Sequence, residues 1–172
     1  YNERPRDGVH PYTIRLAESH DNGITWYAHR TLYSCGFKSD TGCWEPAMVE
    51  LKTGELNLLF ANEKPFPTTA EQEITLLRSF DNGATWTNGD RVSFRAGHRD
   101  GMPVPLLLND NSAVVIAIED DGLNGAFKPA ILSIPTNSTA RPLAMTGNSL
   151  QRWTALESQL PASVYAGAPY LR

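Results

Sequence analysis

The sequence predicts an all-β protein assembled from repeated four-stranded units, as part of a β-propeller. Three observations carry that expectation. The turn motif Ser19-His20-Asp21-Asn22-Gly23-Ile24-Thr25-Trp26 recurs sixty positions later as Ser79-Phe80-Asp81-Asn82-Gly83-Ala84-Thr85-Trp86. An apolar hairpin recurs at a shift of fifty-seven positions. The 13 Gly and 12 Pro are scattered among many short segments, the composition of a turn-rich β protein.

Each copy of the turn motif follows an alternating run, Thr13 to Glu18 and then Glu73 to Arg78, and precedes another β-prone stretch. Asn-Gly between alternating segments signals a tight hairpin, because glycine takes the positive φ that other residues resist. The aspartate can accept hydrogen bonds from backbone N–H groups of its own turn. Threonine continues the strand, and tryptophan offers a large apolar face to hold the hairpin on its neighbour. The second repeat runs from Glu45-Pro46 through the turn Lys52-Thr53-Gly54-Glu55 to Leu56–Ala61. Met102-Pro103, the turn Asn109–Ser112 and Ala113–Ile118 repeat it, and Ala168-Pro169 opens a third copy. Such apolar hairpins suit the inner strands of blades, buried on both faces. The expected blades are 1–35 (an outer half), 44–95 and 100–155, with the start of a further one at 165–172. The third copy of the turn is expected to be lost at Thr136-Asn137-Ser138. The same stretch, Asn137-Ser138-Thr139, fits the N-glycosylation pattern.

Charge and composition narrow the function. The net charge is −4 with no block of like charges, which argues against nucleic acid or an anionic membrane as partner. No apolar run nears the roughly 18 residues of a membrane span, so no membrane insertion is expected. Nucleotide-binding glycine motifs are absent, and no cofactor is expected. Cys35 and Cys43 are eight residues apart; two unpaired buried thiols and a small-loop disulfide both fit that spacing. Two cysteines without histidine beside them do not make a zinc site, and no metal is expected.

The pattern Ser-x-Asp-x-Gly-x-Thr-Trp resembles the Asp-box of sialidases and their relatives, which are six-bladed β-propellers. The resemblance implies a six-bladed ring of the sialidase type, of which this chain covers about three blades. The chain is then a fragment or one part of a split propeller, and the remaining half would be its partner. In that family the box joins the third and fourth strands of a blade, on the rim away from the active site. Ser19, Asp21, Gly23, Trp26, Ser79, Asp81, Gly83 and Trp86 are therefore expected to be structural.

Strand direction sorts the remaining candidates. In a meandering blade the start of strand one, the end of strand two and the start of strand three share the face opposite the box. Glu45 should thus lie near Asn62 and Glu63, and Arg99 and Asp100 near Glu119, Asp120 and Asp121. Arg4, Arg6, Asp7 and His10, ahead of a third strand, should join them where loops gather to bind ligand. Carboxylates with Arg and His are the groups glycosidic cleavage uses, one protonated to assist the leaving group and one ionised. Glu45 and Glu119 stand out because each adjoins an inner strand. Glu45 is flanked by Trp44 and Pro46, an apolar setting suited to a sugar ring. Glu119 is followed by two acids, whose like charge should raise its pKa.

Within the sialidase clan, Cys43-Trp44-Glu45-Pro46 through Asn62-Glu63, with Arg99-Asp100-Gly101-Met102-Pro103, is most similar to the exo-1,5-α-L-arabinanases. That resemblance implies a retaining glycosidase acting on extracellular polysaccharide or glycoconjugate. It makes Glu45 the nucleophile and Glu119 the acid/base, with Trp44, Asn62, Glu63, Arg99, Asp100, Asp120, Arg4, Arg6 and His10 around the sugar. It also implies a secreted, periplasmic or cell-surface location. Two alternatives stand beside it. A sialidase would need an arginine triad, for which the chain offers Arg4, Arg6, Arg99 and Arg172, and a Tyr–Glu nucleophile pair. A noncatalytic carbohydrate-binding propeller would use the same face without shared chemistry between Glu45 and Glu119.

Overall fold

The computed structural model describes residues 1–137 and 144–172. It holds eleven β-strands among the described residues and one 3₁₀ turn, Ser39–Thr41. β1 (Asn2–Glu3), β2 (Thr13–Glu18) and β3 (Tyr27–Ser34) form one sheet. β4 (Cys43–Glu50), β5 (Leu56–Asn62), β6 (Glu73–Ser79) and β7 (Asp90–Ser93) form a second. β8 (Asp100–Leu107), β9 (Ala113–Asp120), β10 (Lys128–Pro135) and β11 (Arg152–Thr154) form a third. Each sheet is an antiparallel meander in which every strand pairs with the next in sequence. The expected lost turn at Thr136-Asn137-Ser138 and the pattern Asn137-Ser138-Thr139 both run outside the described residues.

The second sheet is buried on both faces, and strand periodicity explains how. Along β5, Leu58 and Phe60 point to one side and Leu59 and Ala61 to the other. The first pair packs with Ile14 and Leu77 against the first sheet. The second joins Ile74, Leu76 and Val92 in a core shared with Val114, Ile116, Ile118, Ala130 and Leu132 of the third. Cys35 and Cys43, whose pairing the sequence left open, form a disulfide from just past the end of β3 to the start of β4. It ties the first two sheets together directly ahead of Trp44 and Glu45, and closing so short a loop contributes about 2–3 kcal/mol.

Both repeated turns close the same way. Asn22 and Asn82 have φ of 58° and 56°, and Gly23 and Gly83 have 85° and 82°. Asp81 Oδ1 accepts from the Thr85 N–H at 2.7 Å and Oδ2 from the Thr85 hydroxyl at 2.6 Å. The Ser79 hydroxyl donates to Asp81 at 2.9 Å and accepts from the Gly83 N–H at 2.8 Å. Trp86 donates from its indole to the Gly83 carbonyl at 3.0 Å and packs at the edge of the core between the first two sheets. Trp26 makes the same indole bond but remains exposed, so only one of the two tryptophans serves as the expected clamp.

The inner strands carry a second repeated feature. Glu45, Met102 and Ala168 have φ of 51°, 48° and 52°, and each precedes a proline. In β4 and β8 this is a bulge: Glu45 and Pro46 face the single residue Phe60, and Met102 and Pro103 face Ile118. The bulge accommodates a proline that could not donate to a regular ladder.

Two consequences are measurable. Phe60, fully buried between the first two sheets, should cost about 3–5 kcal/mol when replaced by alanine, read by urea unfolding. Hydrogen bonds from Thr25 and Ser19 lower the Asp21 carboxyl to about 2 from an ordinary 3.8. The lowered pKa means this turn's contribution is complete above the ordinary value and is lost as pH falls towards about 2. Carboxyl NMR should find the Asp21 midpoint there, with the Thr25 amide losing exchange protection over the same range.

Candidate active site

The register of the sheets fixes which residues share an end. Cys43 pairs with Asn62 and Asn62 with Glu73, while Glu50, Leu56 and Ser79 meet at the opposite end, beside the second turn. In the third sheet Asp100, Asp120 and Lys128 align in the same way. Glu45 and Glu119 therefore fall at the end of adjacent sheets away from the repeated turns.

The two carboxylates flank one dipeptide, Gly101-Met102. Glu45 Oε2 accepts from the Met102 N–H at 3.1 Å, a donor that the bulge takes out of the strand ladder. Glu119 pairs with Gly101 across β8 and β9. A Cβ at Gly101 would meet Glu119 Oε1 at 3.0 Å and Gln72 Oε1 at 3.1 Å, so a side chain here would press the carboxylate out of this seat by a few tenths of an ångström. Glu119 Oε2 accepts from the Tyr165 hydroxyl and from the Ala168 N–H, each at 3.1 Å. Thus the N–H of each left-handed residue in β8 and at Ala168 holds a carboxylate of the preceding sheet.

Glu45 is open to water, yet the surrounding protein crowds it. Burial pushes its carboxyl above the ordinary value, the Met102 N–H opposes, and the charge of Glu119 adds to the rise ahead of smaller effects from Arg99 and Glu63. The electrostatic influence of Glu119 on Glu45 places the two in one field. The expected like-charge neighbours of Glu119 are engaged elsewhere. Asp120 is held by Arg95 at 3.0 Å and by Arg152, and Asp121 lies 3.1 Å from His98 and accepts the Arg99 N–H at 2.8 Å.

Several residues expected to touch substrate have structural work instead. Asp100 and Asp120 are 0% exposed. The Arg152 guanidinium meets Asp100 through two bonds of 2.7 Å and also binds Asp120, and Ser93 from the second sheet donates to Asp100 at 2.8 Å. Burial pushes Asp100 up from the ordinary carboxylate value, with Arg152 opposing. Asn62 is 1% exposed and donates to the Tyr33 hydroxyl at 3.1 Å and the Thr75 hydroxyl at 3.0 Å. Glu63 is buried; it takes the Trp44 indole N–H at 2.8 Å and the Gly42 N–H at 3.2 Å, and it pairs with Arg99. Glu63 and Arg99 therefore set the orientation of Trp44. These four acids and amides lie too deep in side-chain networks for the contact the sequence suggested.

Trp44 and Arg4 do meet at the expected face: the Arg4 guanidinium lies 5.8 Å from the Trp44 ring centroid, and Tyr12 packs edge-on to that ring at 5.4 Å. Arg6 is exposed, and exposed His10 pairs with Asp7 at 2.7 Å rather than with either glutamate. Tyr165 and Arg152 escaped the sequence reading. Tyr165 stands three residues before the Ala168-Pro169 repeat, which was the available signal, whereas nothing local marked Arg152 as the partner of acids 32 and 52 positions away. Among the described residues no group of three or more His, Cys, Asp or Glu side chains is arranged to hold a metal ion.

No family model matches the chain, and no curated protein does. Solved structures do. The α-L-arabinanase of Penicillium chrysogenum, complexed with arabinobiose, matches at 21% identity and a TM-score of 0.65, over 77% of this chain and 39% of that one. The GH93 α-L-arabinofuranosidase of Fusarium graminearum, also with arabinobiose, matches at 20% identity and a TM-score of 0.67, over 79% and 40%. A protein of unknown function from Dyadobacter fermentans matches at 14% identity and a TM-score of 0.62, over 93% and 38%. The chain spans about two-fifths of the length of these structures. With the three meandering sheets, the likeness establishes the fold as about three blades of a sialidase-type β-propeller.

Replacing Arg152 by methionine would leave Asp100 and Asp120 buried without that guanidinium. The variant should lose about 3–5 kcal/mol of unfolding free energy, well beyond the effect of a surface change, the signature of a structural network. Full stability after this change would return both aspartates to the list of candidate ligand contacts.

Proposed function

We propose that the chain is part of a retaining glycoside hydrolase acting on extracellular polysaccharide or glycoconjugate, with an exo-arabinanase-like substrate preference. The observation that carries this reading is the placement of Glu45 and Glu119 on adjacent blades, flanking Gly101-Met102 in a common field. Such a pair supplies a proton donor and an ionised carboxylate on one glycosidic bond. The fold likeness to two arabinose-acting enzymes, both complexed with arabinobiose, points to arabinose as the sugar. Trp44, held by Glu63 and flanked by Arg4, offers an aromatic face beside the pair. The Cys35–Cys43 disulfide fits a secreted, periplasmic or cell-surface location.

The resemblance orders the pair with Glu45 as nucleophile and Glu119 as acid/base. The local surroundings lean the other way, since burial favours protonated Glu45 while the Tyr165 hydroxyl and the Ala168 N–H both hold one oxygen of Glu119. Azide separates the roles: it restores turnover of an activated aryl glycoside by the acid/base variant with retained configuration, and yields the inverted azide from the nucleophile variant.

The Tyr165–Glu119 hydrogen bond favours a second reading, a sialidase with a Tyr–Glu nucleophile pair. Against it, Arg99 is committed to Glu63 and the Ala70 carbonyl, and Arg4 to Trp44. Sugar release by the full-length protein distinguishes the readings. On linear 1,5-arabinan, Glu45→Gln and Glu119→Gln should each lower kcat by about 10²–10⁴-fold. Sialic acid release that survives both substitutions would overturn the assignment, and silence on both substrates with the fold intact would favour a binding propeller.

A further inference from the structure

Tyr165 lies outside any strand, in the stretch that follows β11, yet its position is tightly specified. The Asn124 amide donates to the Leu160 carbonyl at 2.8 Å, the Ala126 N–H to Ala162 at 3.1 Å, and the Ala166 N–H to Phe127 at 2.9 Å. Lys128 is fully buried, and its ammonium donates to the carbonyls of Ala126 at 2.8 Å and Val164 at 2.5 Å. A buried cation must be hydrogen-bonded, and here that requirement pins the backbone immediately before Tyr165. Phe127 then packs edge-on to the Tyr165 ring at 5.9 Å. At Gly167 any Cβ would overlap both the Glu119 carboxylate and the Tyr165 hydroxyl, so glycine is required for the two to meet.

We propose that Tyr165 is a positioning residue for Glu119, its O–H acting with the Ala168 N–H to fix carboxylate oxygen Oε2. The proposal rests on the reading of Glu119 as half of the reacting pair. Core packing does not account for Tyr165, because its side chain leaves the residue 61% exposed while the hydroxyl is directed to Glu119. Burial, then the charge of Glu119 and that of Glu45, hold the phenol above its ordinary pKa, so at neutral pH it is a donor. The charged groups around Glu119 are accounted for. Glu45 lies across Gly101-Met102 with Arg99 and Glu63 acting on it, Asp120 is bound by Arg95 and Arg152, and Asp100 by Arg152 and Ser93. Lys128 is directed to carbonyls.

The test compares full-length wild type with Tyr165→Phe, which keeps the ring, and Gly167→Ala, which keeps the phenol but removes its space. Carboxyl NMR, with Glu119→Gln to assign the resonance, should show the Glu119 midpoint rising by about one pH unit in Tyr165→Phe, since a bond to the charged form is lost. On linear 1,5-arabinan kcat should fall by about 10–100-fold with KM within about twofold, and the limb of the rate profile that Glu119 governs should move up with the midpoint. Gly167→Ala should move both readouts in the same direction. An unchanged midpoint in both variants would overturn the proposal, as would a shifted midpoint with unchanged kcat. Complete loss of turnover in Tyr165→Phe, with a sugar trapped on the wild-type phenol, would replace it with a tyrosine nucleophile. Absence of arabinan release by wild type would sink the functional reading instead, and the titration would still decide whether Tyr165 governs the charge of Glu119.

Discussion

A left-handed residue before a proline, at the start of each inner strand, is the constraint around which the site is arranged. Non-glycine residues at positive φ carry a conformational cost of roughly 1–3 kcal/mol, and a following proline restricts the same residue further. Glu45, Met102 and Ala168 nevertheless adopt this backbone at matching places in the repeat. Recurrence at three places marks it as a device of the fold. The bulge admits the proline, ends regular pairing at the open end of the strand, and releases an N–H from the ladder. The donor released on Met102 falls on Glu45, and the N–H of Ala168, which lies outside any strand, falls on Glu119.

Because those donors sit on the next blade along, each carboxylate is oriented by how neighbouring blades pack. That packing is fixed by contacts that involve neither carboxylate. The apolar core shared by the second and third sheets sets their separation, and the Asp100–Arg152–Asp120 network, reached by Ser93 from the second sheet, locks their end. Gly101 is the point where packing and chemistry meet. Its missing side chain lets Glu119 lie against the strand that carries Met102, and so brings the two carboxylates to either side of one peptide.

The fold was legible because its signals are local. Asn-Gly turns, aspartates that bond their own loop, and period-two alternation in β5 are decided within a few residues, and the turns at 19–26 and 79–86 take the geometry their residue types imply. The sharing of one end by Glu45 and Glu119 followed from strand direction alone. What sequence could not separate was a buried acid from an accessible one. Asp100, Asp120, Asn62 and Glu63 look like their neighbours in a list of polar loop-edge residues, yet Arg152, Tyr33, Thr75 and Arg99 draw them inward from distant positions. Beyond its place ahead of the Ala168-Pro169 repeat, the role of Tyr165 was hidden for the converse reason. Its place depends on a lysine, Lys128, that sequence would put on the surface.

The two ends of the blades thus obey different rules. At the turn end, the hydrogen bonds that close each turn run between residues two to four apart, and Arg30 of the first sheet adds a bond to the Gly83 carbonyl of a turn already closed. At the carboxylate end, the decisive bonds span 46 to 57 positions and cross from one blade to the next. Local bonds form wherever the hairpin forms, whereas cross-blade bonds exist only when neighbouring sheets are already in register. The carboxylates are therefore placed by the whole of the packed structure. A carboxylate that must hold a defined orientation gains from this arrangement, because its donors belong to rigid strand starts and a braced segment instead of to its own flexible loop. The same dependence means that changes in the core between blades reach the site through Gly101-Met102 without touching either glutamate.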